Sequence, residues 1–445
     1  MQKMSQEQAN PLKPPFSFNE FNQSLPTVWK WGKRVGFSIL DQGLFSGANF
    51  ALNILLARWL TPEDYGAFAV AYAVYLFSSG FHYALILDPM AVFGPLINPG
   101  KHMDYVKKSF LLQLFISLAL GALIGLAGIL VRAPLGEALI GIAFCTPFIL
   151  TMTYFRNSFY IKSESAKSAL VSFIFFFVIV ASLIAAKFGG ILQLKLSFLF
   201  LAGSSFLSSV AGFALYIQRK QDSRETVNFR DILVQNWSYG KWIVLTALAN
   251  SITTLSFPLL IGVFIGLTDA AAFRGWQNLI SPMYQALTAG ALLVIPILSQ
   301  RSNSLPQPAK IIKNLFLAMI LSTLFYIILI NLNPKSIISM LYKQVYYLNY
   351  SWLLSLFSIY LMFLALSSFF SVFIRAGKQS KYLYYSKFVA AFGYFAILPI
   401  IKVKPLLSTA MVMLLVVNLI ETILLFLSYL KMRRNYYIDT INPGN

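Results

Sequence analysis

Cysteine and histidine are nearly missing from these 445 residues: Cys145 is the one cysteine, and His82 and His102 are the two histidines. One cysteine excludes an intramolecular disulfide. No grouping of Cys, His, Asp and Glu has metal-site spacing, so metal catalysis is not expected. Charge is scarce too, at 11 % of residues where a soluble domain carries about 25 %. A phosphate loop is also lacking. GPLINPGKH, Gly94 to His102, has five residues between its glycines where the nucleotide motif has four, and His where that motif has a hydroxyl. No ATP chemistry within the chain and no cofactor is therefore expected.

What fills the chain is hydrocarbon. Apolar residues make up 58 % and the mean hydropathy is +0.69, far outside the range of a soluble protein. Windows of about 20 apolar residues fall at 36–58, 66–93, 109–131, 138–160, 168–187, 196–217, 242–266, 272–298, 312–332, 348–373, 383–401 and 406–429. The expected fold is an all-α polytopic membrane protein with twelve helices in two six-helix lobes. The boundaries read as a cytoplasmic tail 1–34, an N-lobe 35–217, a cytoplasmic linker 218–241, a C-lobe 242–430 and a cytoplasmic tail 431–445.

Basic residues outnumber acidic ones, 35 to 15, which would fit nucleic-acid binding if the excess were clustered. Instead about three quarters of the Lys and Arg fall in segments that twelve alternating spans place on one side, as the positive-inside rule requires. Nucleic acid is thus not an expected partner. Both termini are expected in the cytoplasm of a multi-pass cytoplasmic (inner) membrane protein, and the opening residues lack the apolar core and cleavage site of a signal peptide.

Small residues Gly121, Gly125 and Gly128 in the third span are spaced for close helix contact. Cys145 reads as a packing residue. Pro89, Pro258, Pro282 and Pro296 each remove a backbone donor and invite kinks. A faint internal similarity links LTPEDYGAF after span 1 with LTDAAAFRG after span 7, which favours two repeats with a substrate path between them.

The stretch FRGWQNLISPMYQ, Phe273 to Gln285, raises a sharper question because it sets an arginine and three amides inside an apolar window. At 100° per residue, Arg274, Asn278, Ser281, Gln285 and Thr288 form one stripe about 80° wide. Ser38, Gln42, Ser46, Asn49 and Asn53 do the same on span 1, with Asp41 on the flank. Tyr75, Ser79 and His82 make a looser stripe on span 2, and Asn250, Thr253, Thr254 and Ser256 add polarity to span 7. An unpaired amide in hydrocarbon costs several kcal/mol. The stripes therefore read either as interhelical glue or as the walls of a water-filled cavity between the halves.

Arg274 near the outer end of span 8 can line that cavity or snorkel. Arg156 and Arg375 lie near inner ends, where anchoring is the plain role. Asp41, Asp88 and Glu421 are carboxylates in or at the edge of spans, where such groups carry coupling ions or pair with arginine. For Asp88, before Pro89, a helix-end salt bridge is the plain reading.

The run GLFSGANFALNILLARWLTPEDYGAFAVAYAVYLF, Gly43 to Phe77, resembles the N-terminal signature of the polysaccharide transporter family. That family is the O-antigen flippase-like branch of the multidrug/oligosaccharidyl-lipid/polysaccharide (MOP) exporter superfamily. LLARWLTPEDYG carries the likeness, and ALILDPMAVFGP, Ala84 to Pro95, is similar to a subgroup. The resemblance implies a two-lobed transporter, not an enzyme, that flips a polyprenyl-diphosphate-linked glycan through a cationic cavity. Its partners would be the lipid-linked glycan, membrane lipids and the polysaccharide biosynthesis machinery.

On that basis Arg274 and Arg156 are candidate diphosphate contacts, because Arg pairs bidentately with phosphate. Gln42, Asn49, Asn53, Asn278 and Gln285 are candidate sugar contacts, and Asp41 and Glu421 are candidate ion-coupling groups. Two alternatives stand beside this: a multidrug and toxin exporter coupled to H+ or Na+ through Asp41, and a membrane glycan polymerase or ligase. The latter needs a substantial outer loop, whereas the longest one, near 333–347, has about 15 residues.

Overall fold

The structure is a computed structural model that describes residues 18–97, 99–161, 164–217, 226–301, 308–343, 345–376, 381–403 and 405–441. Every apolar window is helical, as a bilayer demands when it offers no water to an unpaired amide. The first half runs α1 (Phe18–Trp59), α2 (Pro62–His82), α3 (Asp88–Phe93), α4 (His102–Ile129), α5 (Leu135–Ile161), α6 (Ser165–Phe188) and α7 (Leu194–Ile217). The second runs α8 (Phe229–Thr254), α9 (Ser256–Phe264), α10 (Leu267–Arg301), α11 (Pro308–Asn331), α12 (Pro334–Tyr342), α13 (Leu353–Ala376), α14 (Lys381–Val403) and α15 (Leu407–Ile441). Among the described residues nine helices are long and apolar enough to cross a membrane, and eleven if two bent pairs each count as one span. The remaining window lies in the 35-residue α10.

Helices outrun the apolar windows at three places. α8 begins at Phe229, inside the stretch expected as linker, because Asn228 caps it by accepting from the backbone of Arg230 at 3.1 Å. α1 starts at Phe18 and α15 continues to Ile441. Polar residues end membrane burial, but they do not end a helix whose backbone bonds are already propagating. Residues 1–17, 218–225 and 442–445 of the expected tails and linker lie outside the described residues.

Within the first half α4 lies on α5, α1 on α6, and α5 on α7; within the second, α10 lies on α13, and α13 and α14 lie on α15. The halves meet chiefly where α2 crosses α10 and α9, and where α8 crosses the end of α2. Glycine sets the tightest approaches. A Cβ on Gly121 would stand 2.9 Å from the Ala143 carbonyl oxygen, which is why α4 lies so close to α5. A Cβ on Gly66 would stand 1.8 Å from the Leu267 carbonyl oxygen. Gly66 belongs to LTPEDYGAF and Leu267 opens LTDAAAFRG, so the two similar segments touch one another.

Pro89 breaks its helix, whereas α10 runs on through Pro282 and Pro296 without a break. Pro89 has no N–H to give Leu85, four residues back, and the backbone widens into a π-turn over Tyr83–Leu87 in which the Asp88 N–H bonds to Tyr83. The freed Leu85 carbonyl accepts instead from Asn236 Nδ2 of α8, at 2.9 Å. α8 and α9 are bent by 46°, and the Thr253 and Ser256 hydroxyls donate to carbonyls one turn back. α11 and α12 are bent by 76°. Cys145 is buried and its thiol donates to the Phe198 carbonyl at 3.0 Å.

Candidate functional site

The polar stripes of α1 and α10 face each other, and the helices run antiparallel. Arg274 Nε donates to Asn53 Oδ1 at 3.3 Å, and about 16 Å further along α10 Gln285 Oε1 accepts from Ser46 Oγ at 2.6 Å. Gln42 Nε2 reaches the same Ser46 hydroxyl at 3.3 Å. Arg274 also donates through Nη1 to Gln277 at 2.8 Å.

Tyrosines of α2 complete the wall. The Tyr65 hydroxyl accepts from Asn278 Nδ2 at 3.0 Å and donates to Asn53 Oδ1 at 3.5 Å. Tyr72 donates to Asn49 Oδ1 at 2.7 Å. The amides of Asn49 and Asn53 donate back to the Phe45 and Asn49 carbonyls of their own helix. Polar atoms that would be orphaned in lipid are thus paired with one another.

The two ends of this seam differ. Toward the α1 C-terminus Asn53 and Asn278 are 3 % and 5 % exposed, and Arg274 is half-buried. A strap formed by α12 and the 3-10 turn Val345–Tyr350 covers this end. Tyr342 donates to the Gly275 carbonyl of α10 at 2.6 Å and Tyr347 to the Ala57 carbonyl of α1 at 3.3 Å. Tyr350 adds a bond to Asp269 at 3.2 Å. At the other end, that of the α1 N-terminus, Gln42, Gln285 and Thr288 are exposed. The seam is sealed on one side and open on the other.

Arg156 and Asp41 do not line the open seam as separate groups. They form a bidentate pair at 3.1 and 2.9 Å, with 5 % and 1 % exposure. Tyr160 donates to the same carboxylate at 2.7 Å, as does Ser172, and the guanidinium carbon stands 3.8 Å from the Phe45 ring centroid. Bidentate geometry, hydrogen bonds to the remaining lone pairs and a stacked ring are what a buried pair needs to offset its desolvation. Glu421 is likewise engaged, with Lys387 Nζ at 2.7 Å. The Asp88 carboxylate, expected in a helix-end salt bridge, has no ion-pair or hydrogen-bond partner among the described residues.

Several further positions depart from the periodicity reading. Tyr75, Ser79 and His82 of the looser α2 stripe are buried, and the Ser79 hydroxyl turns back to the Leu76 carbonyl. Asn250 is exposed on α8 while Thr253 is buried. Sequence reasoning passed over Tyr65 and Tyr72, although seven residues apart they share a helix face, and their hydroxyls sit in an otherwise apolar run. Lys387 lies near a helix start among other basic residues, and nothing local marks it as the partner of Glu421. Tyr342 and Tyr347 fall in the expected outer loop, and Tyr350 at the start of the apolar window after it.

A family model described as polysaccharide biosynthesis protein matches residues 32–302. Among solved structures, an inward-facing multidrug resistance MATE family transporter of the MOP superfamily superposes with a TM-score of 0.67 at 13 % identity, covering 92 % of this chain and 99 % of that one. Lipid II flippase MurJ in an inward closed conformation gives 0.68 at 14 % identity, covering 91 % of each chain. The eukaryotic MATE transporter AtDTX14 gives 0.64 at 13 %, over 91 % of this chain and 98 % of that one. At such identities the likeness establishes the fold, which is that of MOP superfamily transporters. No curated protein sequence matches the chain.

Proposed function

We propose, from the premise that this chain belongs to the polysaccharide biosynthesis protein family, that it flips a polyprenyl-diphosphate-linked oligosaccharide across the cytoplasmic (inner) membrane. In this reading both termini are cytoplasmic, residues 35–217 and 242–430 are the rocking bodies, and the open end of the seam faces the cytoplasm. The observation that supports it most is the polar seam itself: Ser46 on Gln285 and Asn53 on Arg274, sealed at one end and open at the other. Glycan hydroxyls leaving water need replacement partners. Gln42, Asn49, Asn53, Asn278 and Gln285 supply amides, while the polyprenyl tail stays in lipid.

Arg274, whose fork is held by neutral oxygens of Asn53 and Gln277, can turn to a diphosphate without stranding a carboxylate. Arg156 can do so only by leaving Asp41, which assigns it to a later stage of the cycle. Rocking that separates Asn53 from Arg274 opens the sealed end and closes the other.

The test uses purified protein in vesicles carrying a polyprenyl-diphosphate oligosaccharide on one leaflet. Protein-dependent appearance of the sugar on the other leaflet, reduced at least tenfold in Arg274→Ala, is the expected result. A folded protein that moves no glycan overturns the reading. Drug efflux that is lost in Asp41→Asn would install the multidrug exporter in its place, and glycan lengthening would install the polymerase.

A further inference from the structure

Three carboxylates lie in or at the edge of the spans, and two of them already hold a cation. Asp41 is filled by Arg156, Tyr160 and Ser172, and Glu421 by Lys387. The third, Asp88, is half-buried in the first turn of α3, and its carboxylate has no bonded partner among the described residues.

Among the described residues, the groups that feel the Asp88 charge are phenols. Tyr83 of the π-turn and Tyr239 of α8 are within electrostatic reach of it. Tyr83 is also within reach of Arg156 and Asp41, but that guanidinium is already committed. α3 packs against α5 and α8. The charged groups of α8, Arg230, Asp231 and Lys241, are exposed. On its own span, His82 is fully buried with both ring nitrogens unbonded.

The position also matters mechanically. One turn before Asp88 the halves are joined by the Asn236 bond to Leu85. There α8 comes so near that a Cβ on Gly240 would stand 2.5 Å from the Ala84 carbonyl oxygen. Asp88 therefore stands at the joint between lobes, on the end where the seam is open.

A carboxylate at such a joint tolerates open water but not closure. Sealing it into an apolar contact with no counter-cation is costly, whereas the neutral acid is far cheaper to bury. We propose that Asp88 is a proton-binding site: its carboxylate forms an O–H bond with a proton taken from water at the open end, and keeps it while that end is sealed. Opening restores water and returns the proton. Combined with the transporter reading above, on which this part rests, the site links proton movement to lobe rocking, while Asp41 and Glu421 are occupied in this state by Arg156 and Lys387.

The experiment is infrared difference spectroscopy of the full-length protein in lipid bilayers, between alkaline and acidic buffer, with the proton as the probe. A buried carboxylic C=O band that grows on acidification is expected, lost in Asp88→Asn and displaced in Asp88→Glu. The same band should survive in Asp41→Asn and Glu421→Gln. Absence of the band in the natural protein, its persistence in Asp88→Asn, or its loss in either of the other two variants overturns the assignment. No glycan is present, so a failure of the cargo reading leaves this result intact, and the reverse also holds.

Discussion

The Arg156 guanidinium clasps the Asp41 carboxylate through two bonds, with the Phe45 ring against one of its faces. This pair ties α1 to α5 inside the first lobe, and Ser172 draws α6 into the same contact. Removing one partner strands the other. Asp41→Leu or Arg156→Met alone should destabilise the protein by about 3–5 kcal/mol, whereas the double replacement should recover most of that loss. Thermal unfolding of the purified protein in detergent measures both effects, and equal melting of single and double variants would refute the coupling.

Gly66 has no room for a methyl group. Its hypothetical Cβ falls 1.8 Å from a main-chain oxygen, that of Leu267, which no rotamer change can move aside. Gly66→Ala should therefore force α2 and α10 apart and lower the yield of folded protein severely. Gly203→Ala, with nothing within 4 Å of its Cβ position, should fold normally. Size-exclusion profiles of the two variants provide the comparison.

Asn236 matters because of Pro89. Asn236→Ala should cost about 1–3 kcal/mol by leaving the Leu85 carbonyl buried and unbonded. In a Pro89→Ala background the chain regains an N–H that can reach Leu85, and Asn236→Ala should then cost measurably less. A double-mutant cycle on unfolding free energies reads the difference; additivity would show that the two residues act separately.

Ser46 and Gln285 face one another across the lobes at the open end. Replacing both by cysteine in a Cys145→Ala chain and adding a short bifunctional thiol-reactive reagent should lock the seam. Vesicle transport should stop only in the doubly substituted protein, and reduction of a cleavable reagent should restore it. Undiminished transport after complete cross-linking would exclude motion between α1 and α10.

Much of the fold was legible because hydrocarbon imposes one rule on every span, and apolar windows near 20 residues carry it directly. The facing stripes of α1 and α10 were legible too, since five polar residues on one helix side leave few partners other than a second such side. What the windows could not show is which polar atoms close on one another. Arg156 and Asp41 are 115 residues apart, and their pairing depends on α5 and α6 rotating the right faces toward α1. Lys387 was hidden by lying near a helix end, where basic residues ordinarily mark topology. The π-turn was half-legible: Pro89 announced a freed carbonyl, but its rescue by Asn236 is a tertiary event.

The strap across the sealed end hangs on main-chain oxygens. Tyr342 and Tyr347 bond to the carbonyls of Gly275 and Ala57, and every residue type offers such an acceptor. Substitution at either position consequently leaves the fastening chemistry untouched, and bulk alone constrains both, since Ala57 is fully buried and Gly275 lies against the Tyr347 ring. The main-chain fastening of the strap therefore rests on two phenol hydroxyls, with the Tyr350 bond to Asp269 beside them, and a Tyr→Phe exchange at 342 or 347 is the smallest mutation able to loosen the sealed end.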